Sequence, residues 1–289
     1  MQTYAYDQTG RMTSERAVSQ SGSSTTEKAY SYTYDETGRL LTRSNTRLPI
    51  DRTEYRYDQH GRKTTVQTFD PELLRKNRQC ACGGSAISAA QSGHGVPDGG
   101  NVLTLYNDAD QPTEAQVRDA EGTIVSRAAC MYDEQGRVSE ERTIFERPDL
   151  LFPPELLAAQ LSEKGVSIAE IKEKLRESFR ELLQREGAEQ SFNSTRYTYD
   201  AQGRVTETRR QLPSAHAHVE TVRYNEHGDK AEEYTIHSVA RRVDEHYEAR
   251  HEYRYDNRDN WTEQVVTSRS SPDAEFAVAA TYRRHLVYY

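Results

Sequence analysis

The stretch Tyr30 to Leu40, YSYTYDETGRL, constrains this chain more than any other. Tyr30, Tyr32 and Tyr34 alternate with small polar residues, and a period of two places all three rings on one face of a strand. Asp35 then opens a turn. Its short carboxylate accepts a backbone N–H two residues on, Glu36 and Thr37 fill the centre, and Gly38 supplies the positive φ that the return needs. A type I turn closing in a glycine bulge fits this spacing, with Arg39 and Leu40 opening the returning strand. The unit is one β-hairpin, written Y-x-Y-D-x-x-G-R.

The unit recurs along the chain. YAYDQTGRM at Tyr4, YRYDQHGRK at Tyr55, CMYDEQGRV at Cys130 and YTYDAQGRV at Tyr197 are near copies. VRYNEHGDK at Val222 exchanges the Asp for Asn225 and the Arg for Asp229. YRYDNRDNW at Tyr253 has Asp259 where the glycine belongs, and Asp tolerates positive φ better than most residues. LYNDADQPT at Leu105 reads as a more decayed copy, and DAEGT at Asp119 as a further turn. One such match is noise. Five near-identical ones define a mainly β fold, an antiparallel sheet of repeated hairpins.

These residues resemble the YD-repeat proteins, which include bacterial Rhs proteins, the shells of insecticidal toxin complexes and the teneurins. The resemblance covers residues 3–69, 101–145 and 196–266. It implies a curved sheet of successive hairpins, which in large members closes into a hollow shell. Seven or eight hairpins are too few to close one, and the D-P-x-G core that ends toxin-carrying shells does not occur in this sequence. The resemblance therefore implies a structural or interaction module, secreted or in the cell envelope, alone or as a piece of a larger shell, and no encapsulated toxin. The closing DNRDNWTEQVV and the final strand resemble the C-terminus of small bacterial members. The start, MQTYAYDQTG, has no signal-peptide core and begins almost on a repeat's first tyrosine, which leaves upstream strands or an export signal open.

The chain of 289 residues reads as one continuous domain, because a repeat array adds length without adding a new core. Residues 1–70 hold three repeats, 71–100 a Gly/Ala/Ser-rich loop with a C-x-C pair, and 101–148 a degenerate repeat and a good one. Residues 149–190 read as a two-helix insertion, the first helix over Asp149 to Gly165 and the second opening at Ser167, and 191–289 as further repeats and a C-terminal strand. Hydrophobic residues make up 34% of the chain, against ~45–50% in ordinary domains, so a thick aliphatic core is not on offer. Tyrosine, 19 against 6 Phe and 1 Trp, takes its place, burying its ring while its hydroxyl reaches a polar partner.

A net charge of −8, with Arg and Lys interleaved among Asp and Glu, excludes nucleic acid as the expected partner. No stretch approaches the ~20 apolar residues of a membrane-spanning helix. In the helical insertion, Ser167 and Glu170 form a capping-box pattern, and Ile168, Ile171, Leu175, Phe179 and Leu182 make one apolar stripe. That stripe, on a helix over 167–186, is expected to dock on the sheet of this chain or to serve a partner or a second copy. ATYRRHLVYY is expected to pair with the strand Val265 to Ser268, and the sheet edge is a further place for self-association.

Cys80 and Cys82, with Cys130 and His94, offer four zinc donors, but the spacing fits no common zinc module. A disulfide from Cys80 or Cys82 to Cys130 and inert thiols are the other readings, and Cys130, standing where a repeat's first Tyr belongs, reads as a small buried hydrophobe. His216 and His218, with His246 or His251, are a further metal candidate that reads more simply as a polar loop and strand. No nucleophile elbow, phosphate loop, metalloprotease helix or catalytic triad pattern occurs, so no catalytic, cofactor-binding or metal residue is assigned, no cofactor is expected, and the chain reads as non-enzymatic. The candidate ligand-binding residues are Trp261, Tyr253 and Tyr255, because rows of Tyr and Trp suit the stacking of sugar rings. They carry the alternative function, a carbohydrate-binding protein or polysaccharide hydrolase using an aromatic concave face. The partner is thus an unnamed protein or a glycan.

Overall fold

The computed structural model describes residues 1–21, 24–46, 48–76, 85–147, 167, 170, 173, 177, 193–212, 216–239 and 242–287. Among these the protein is mainly β, with seventeen strands and two short helices. It gathers into two compact units, residues 1–131 with 141–191 and residues 132–140 with 192–289.

The first unit carries β1 (Gln2–Tyr6), β2 (Met12–Ser21), β3 (Ser24–Tyr34), β4 (Leu40–Thr46), β5 (Ile50–Tyr57), β6 (Lys63–Phe69), β7 (Asn101–Tyr106), β8 (Pro112–Arg118) and β9 (Ile124–Tyr132). Each pairs antiparallel with the next, as the hairpin repeat predicts. Between β6 and β7 lie α1 (Pro71–Lys76) and α2 (Ala86–Gln91). β10 (Val138–Phe145) follows β9 in the chain. The second unit carries β11 (Asn193–Tyr199), β12 (Val205–Leu212), β13 (His216–Tyr224), β14 (Lys230–Val239), β15 (Arg242–Tyr255), β16 (Trp261–Arg269) and β17 (Ala277–Arg283), again a meander of antiparallel neighbours. The expected pairing of the last strand is present in part: Val265 faces Thr281 and Val266 faces Ala280, but the strand starts earlier, with Ser268 facing Ala277, and residues 284–287 are not strand.

The two ends of the strands differ. At one end, the strand before the turn ends in tyrosine all eight times (Tyr6, Tyr34, Tyr57, Tyr106, Tyr132, Tyr199, Tyr224, Tyr255), and five residues, as in 7–11, separate it from the next strand. At the other end the connections run from the pair 22–23 to residues 146–192.

The expected loop 71–100 is in part a folded element. Asp70 caps α1, its carboxylate accepting the N–H groups of Glu72 at 2.9 Å and Leu73 at 3.0 Å. Leu74, Ile87, Ala90 and Val96 are buried, as are Phe69, Val102, Ala115, Val117, Val125 and Ala128 on the strands. α2 packs on β7 and β8. The abundance of Gly, Ala and Ser that suggested a loop instead lets a short helix lie close to a sheet of Val, Thr and Ala. Gly93 shows why small residues are needed, since its φ is +88° and a Cβ there would collide with Leu74 and Phe69.

Cys80 and Cys82 lie outside the described residues, and so does most of the helical insertion. Its capping box is described: Ser167 N–H and Oγ–H donate to the Glu170 carboxylate at 2.8 and 2.9 Å, and Glu170 N–H donates back to Ser167 Oγ at 3.3 Å. Glu170, Glu173 and Glu177 are helical and exposed, the polar face expected of that helix. Among the described residues no helix is long and apolar enough to cross a membrane.

Candidate functional site

The hairpin turn is the best-defined polar structure in the molecule. In the Asp7 turn, Oδ1 accepts the N–H of Thr9 at 2.8 Å and of Arg11 at 3.0 Å, while Oδ2 accepts Arg11 Nε at 2.8 Å. The same Arg clamp closes at Asp35, Asp58, Asp133 and Asp200, with Arg39, Arg62, Arg137 and Arg204 at 2.7–2.8 Å. Gly10, Gly38, Gly61, Gly136, Gly203 and Gly228 all take positive φ, and Asp110 (φ 59°) and Asp259 (φ 58°) do so where glycine is missing. The register slips beside Tyr6, Tyr34, Tyr106, Tyr199, Tyr224 and Tyr255, which is the bulge that the turn type requires. Asp119 makes a related turn with Gly122 and Thr123, as DAEGT suggested.

These carboxylates titrate low. For Asp7 and Asp35 the hydroxyls of Thr9 and Thr37 are the leading cause, followed by Arg11 and Arg39. For Asp58, Asp133 and Asp200 desolvation pushes the pKa up, and the hydrogen bonds from Arg62, Arg137 and Arg204 outweigh it.

The clamped arginine also reaches the next hairpin, a link the sequence reading did not find. Arg11 lies over the ring of Tyr34 at 5.2 Å, Arg39 over Tyr57 at 4.8 Å, Arg137 over Tyr199 at 4.4 Å and Arg204 over Tyr224 at 4.5 Å. Each of these tyrosines donates its hydroxyl to the backbone carbonyl one residue past that arginine: Tyr34 to Met12, Tyr57 to Leu40, Tyr199 to Val138 and Tyr224 to Val205, at 2.7–3.1 Å. The turn glycine assists, because the guanidinium of Arg11 packs 3.7 Å from where a Cβ on Gly38 would stand, and Arg204 3.4 Å from that of Gly228. The signal was present in the sequence. The first tyrosine of Y-x-Y gives way to Thr104, Cys130 and Val222, whereas the second does not change.

Tyr253, Tyr255 and Trp261 do come together, on β15 and β16. Tyr255 faces Trp261 across the pair, the ring centroids of Tyr253 and Tyr255 are 5.8 Å apart, and those of Tyr253 and Trp261 are 6.2 Å apart in an edge contact. All three are half-buried. Their faces and hydroxyls have occupants. His227 stacks on Tyr255 at 3.9 Å, and Arg284 lies 3.3 Å from the centroid of Trp261. Tyr253 OH accepts from Gln264 Nε2 at 3.0 Å. Tyr255 OH accepts from Asn225 Nδ2 at 2.7 Å and donates to Asp229 at 2.8 Å. Burial, and then the bond to Asp229, pushes the phenol of Tyr255 up to about 12. This is the hairpin link rebuilt, with the Asn225 and Asp229 side chains in place of arginine and carbonyl.

Among the described side chains, the histidines of the metal reading have other neighbours. His218 and His237 have centroids 6.5 Å apart, and His246 instead sits edge-on to Tyr234 at 5.0 Å. His251 Nδ1 meets Gln264 Nε2 at 3.1 Å, while burial holds its pKa down against the pull of Glu233. Among the described residues no three His, Cys, Asp or Glu side chains converge on one point. The side chain of His216 is outside them. Cys130 is buried, at 6% exposure, as its reading as a small hydrophobe expects.

A cleft of about 780 Å³ opens in the first unit between the Asp58 and Asn107 turns, lined by Leu40, Tyr55, Tyr57, His60, Arg62 and Lys63 and by Asp108 and Asp110 opposite. Its charges are matched within it. Arg62 pairs with Asp58, and Lys63 with Asp110 at 2.7 Å while lying over the Tyr106 ring at 4.1 Å.

No family model matches this chain, and no curated protein matches it. The resemblance to YD-repeat proteins is corrected accordingly: Y-x-Y-D-x-x-G-R specifies a turn and its link to the next hairpin, which is local chemistry open to any antiparallel meander, not membership of that family. Among solved structures, a porin-like protein from Bacteroides uniformis is similar at 10% identity and a TM-score of 0.30, over 93% of this chain and 92% of that one. A porin-like protein from Bacteroides vulgatus is similar at 11% identity and a TM-score of 0.27, over 86% of this chain and 90% of that one. Scores of this size carry no argument about function.

Proposed function

We propose that this chain is a non-enzymatic structural and interaction module of the cell envelope. One observation carries the reading. The residues that recur are spent on architecture: the aspartate on its turn, the arginine on that aspartate and on the next tyrosine, and that tyrosine on the preceding hairpin's carbonyl. The two places that most resemble sites support it. In the aromatic trio His227 stacks on Tyr255 and Arg284 lies over Trp261, and the cleft neutralises its own charges. The experiment is a glycan-array screen of the purified chain beside Trp261→Ala. No binding that depends on Trp261 is expected; saturable binding to one glycan class, lost in the variant, overturns the reading in favour of carbohydrate recognition. The envelope location is checked by fractionating cells of the source organism, where recovery in the cytoplasm removes that part.

A further inference from the structure

The register of the second unit puts two imidazoles side by side. His218 on β13 is the direct partner of His237 on β14, and His237 is in turn the partner of Glu245 on β15. Direct partners share a face of the sheet, so the three form one row across three strands. The two rings are half-buried, with centroids 6.5 Å apart and planes tilted by 50°, and Glu245 is exposed. This row differs from the sequence candidate, which joined His218 to His246 or His251. His246 stands opposite Ile236, the neighbour of His237 in β14, and so lies on the other face. His251 shares the face of Glu245 but follows it by six residues, about 20 Å along the strand.

The chemistry of that row suits a metal ion. His246 is engaged by the ring of Tyr234 and His251 by the amide of Gln264, whereas the ring beside His218 is a second imidazole. A neutral imidazole offers one nitrogen lone pair, so the two together offer a pair of donors of the type that zinc and copper(II) take. Two metal–nitrogen bonds of ~2.0–2.1 Å span about 4 Å. Rings with centroids 6.5 Å apart on directly paired residues reach that separation by side-chain rotation, with the strands left where they are. Glu245 adds a carboxylate from the next strand, and its charge offsets that of Arg210, the partner of His218 on the other side.

We propose that His218 and His237, assisted by Glu245, bind a divalent transition-metal ion of the zinc and copper(II) class, with water completing its coordination. The site is independent of the reading of the chain as a non-enzymatic module, and the two fail separately: the glycan screen reports on Trp261, and metal binding reports on the two histidines.

The test titrates zinc into the full chain by calorimetry. Saturable binding at a single site is expected, weakened at least about tenfold by His218→Ala and by His237→Ala, since even an outer-shell partner is worth about 10–100-fold to a metal site. Glu245→Gln should weaken it about fivefold, as removing one nearby charge in water implies. His60→Ala, at an exposed histidine of the first unit, should leave it unchanged, and magnesium, which takes oxygen ligands, should not bind there. Circular dichroism establishes that the variants are folded. Copper(II) on the unaltered chain gives a readout that needs no variant: its electron paramagnetic resonance spectrum should show coupling to two nitrogens. No zinc binding, equal binding by either histidine variant, loss through His60→Ala, magnesium binding of equal strength, or a copper spectrum with fewer than two nitrogens overturns the proposal. An unchanged affinity in Glu245→Gln overturns the part given to that carboxylate.

Discussion

The two units use the same hairpin and the same turn, but cover their strands differently. In the first, Val102, Thr104, Ala115, Val117 and Val125 are at most 1% exposed, and Ile87 of α2, 2% exposed, packs with them. In the second, Val222, Ala249 and Val266 are the buried apolar side chains among the described residues, and half-buried tyrosine, histidine and glutamine do the rest. In the first unit the stretch around α2 and β7–β9 is held by volume, whereas β1–β5 and the second unit rely on directed contacts. Close-packed aliphatic surface is sensitive to a missing methyl group and indifferent to pH. Rings under guanidinium groups and hydroxyls on carbonyls tolerate small changes of shape but respond to charge.

The largest expected effect breaks the first unit. Ile87→Ala should cost about 2–4 kcal/mol in urea unfolding, because a buried side chain is lost from a close-packed face. A loss below 1 kcal/mol would mean that α2 is dispensable to that core.

Acid should separate the units next. Burial keeps His251 neutral when folded, so its contribution is complete above the ordinary histidine value of about 6.5 and is lost as pH falls below it. Glu233, 3.9 Å from His251 Nε2, opposes that loss, and Lys230 adds to it. Hydrogen exchange in the second unit should therefore accelerate between about pH 6.5 and 5, and less so in His251→Gln. Below about pH 4 both units should lose stability, because the turn aspartates have depressed folded pKa values: their contribution is present above the unfolded value and disappears as they protonate. Asp35→Asn, the residue the chain itself uses at 107 and 225, should keep the turn and flatten the acid limb. An unchanged acid limb in that variant would show that the turn carboxylate is not what acid titrates.

Much of this comparison was legible in the sequence, and its limits have physical causes. Turn chemistry is local, so Asp35, Gly38 and the worn Asp259 announced their conformations from a few residues. The link between hairpins joins residues 17 to 61 positions apart, such as Tyr57 to Leu40 and Tyr199 to Val138, and no local pattern reports it. α2 was missed because AISAAQ is too short to show a helical period, and Gly93 reads as loop until Leu74 and Phe69 are seen against it. The aromatic trio was found as a cluster, but the chain brings its own covers, His227 from an earlier turn and Arg284 from beyond β17.

Two smaller effects sharpen the second unit's side of the comparison. Tyr199→Phe keeps the ring under Arg137 and removes the bond to the Val138 carbonyl, and should cost about 0.5–1.5 kcal/mol by the same urea measurement. No change would mean that the ring alone makes the link. Asp259→Gly relieves a left-handed backbone and should stabilise by roughly 0.5 kcal/mol, read as a small rise in melting temperature. A fall would show that the contact of Asp259 with His227, at 3.8 Å, matters more than the backbone.

The unequal strand ends bear on how such a chain can vary. At the turn margin every connection has one length, and four of them hand an arginine to the next tyrosine, so a single inserted residue would put two successive hairpins out of step. At the far margin, connections from the pair 22–23 to residues 146–192 are carried without disturbing the tyrosines. The molecule thus has a hem and a fringe: the hem holds the strands in order, and the fringe is where a lineage can add, lengthen or exchange segments at little cost to the fold.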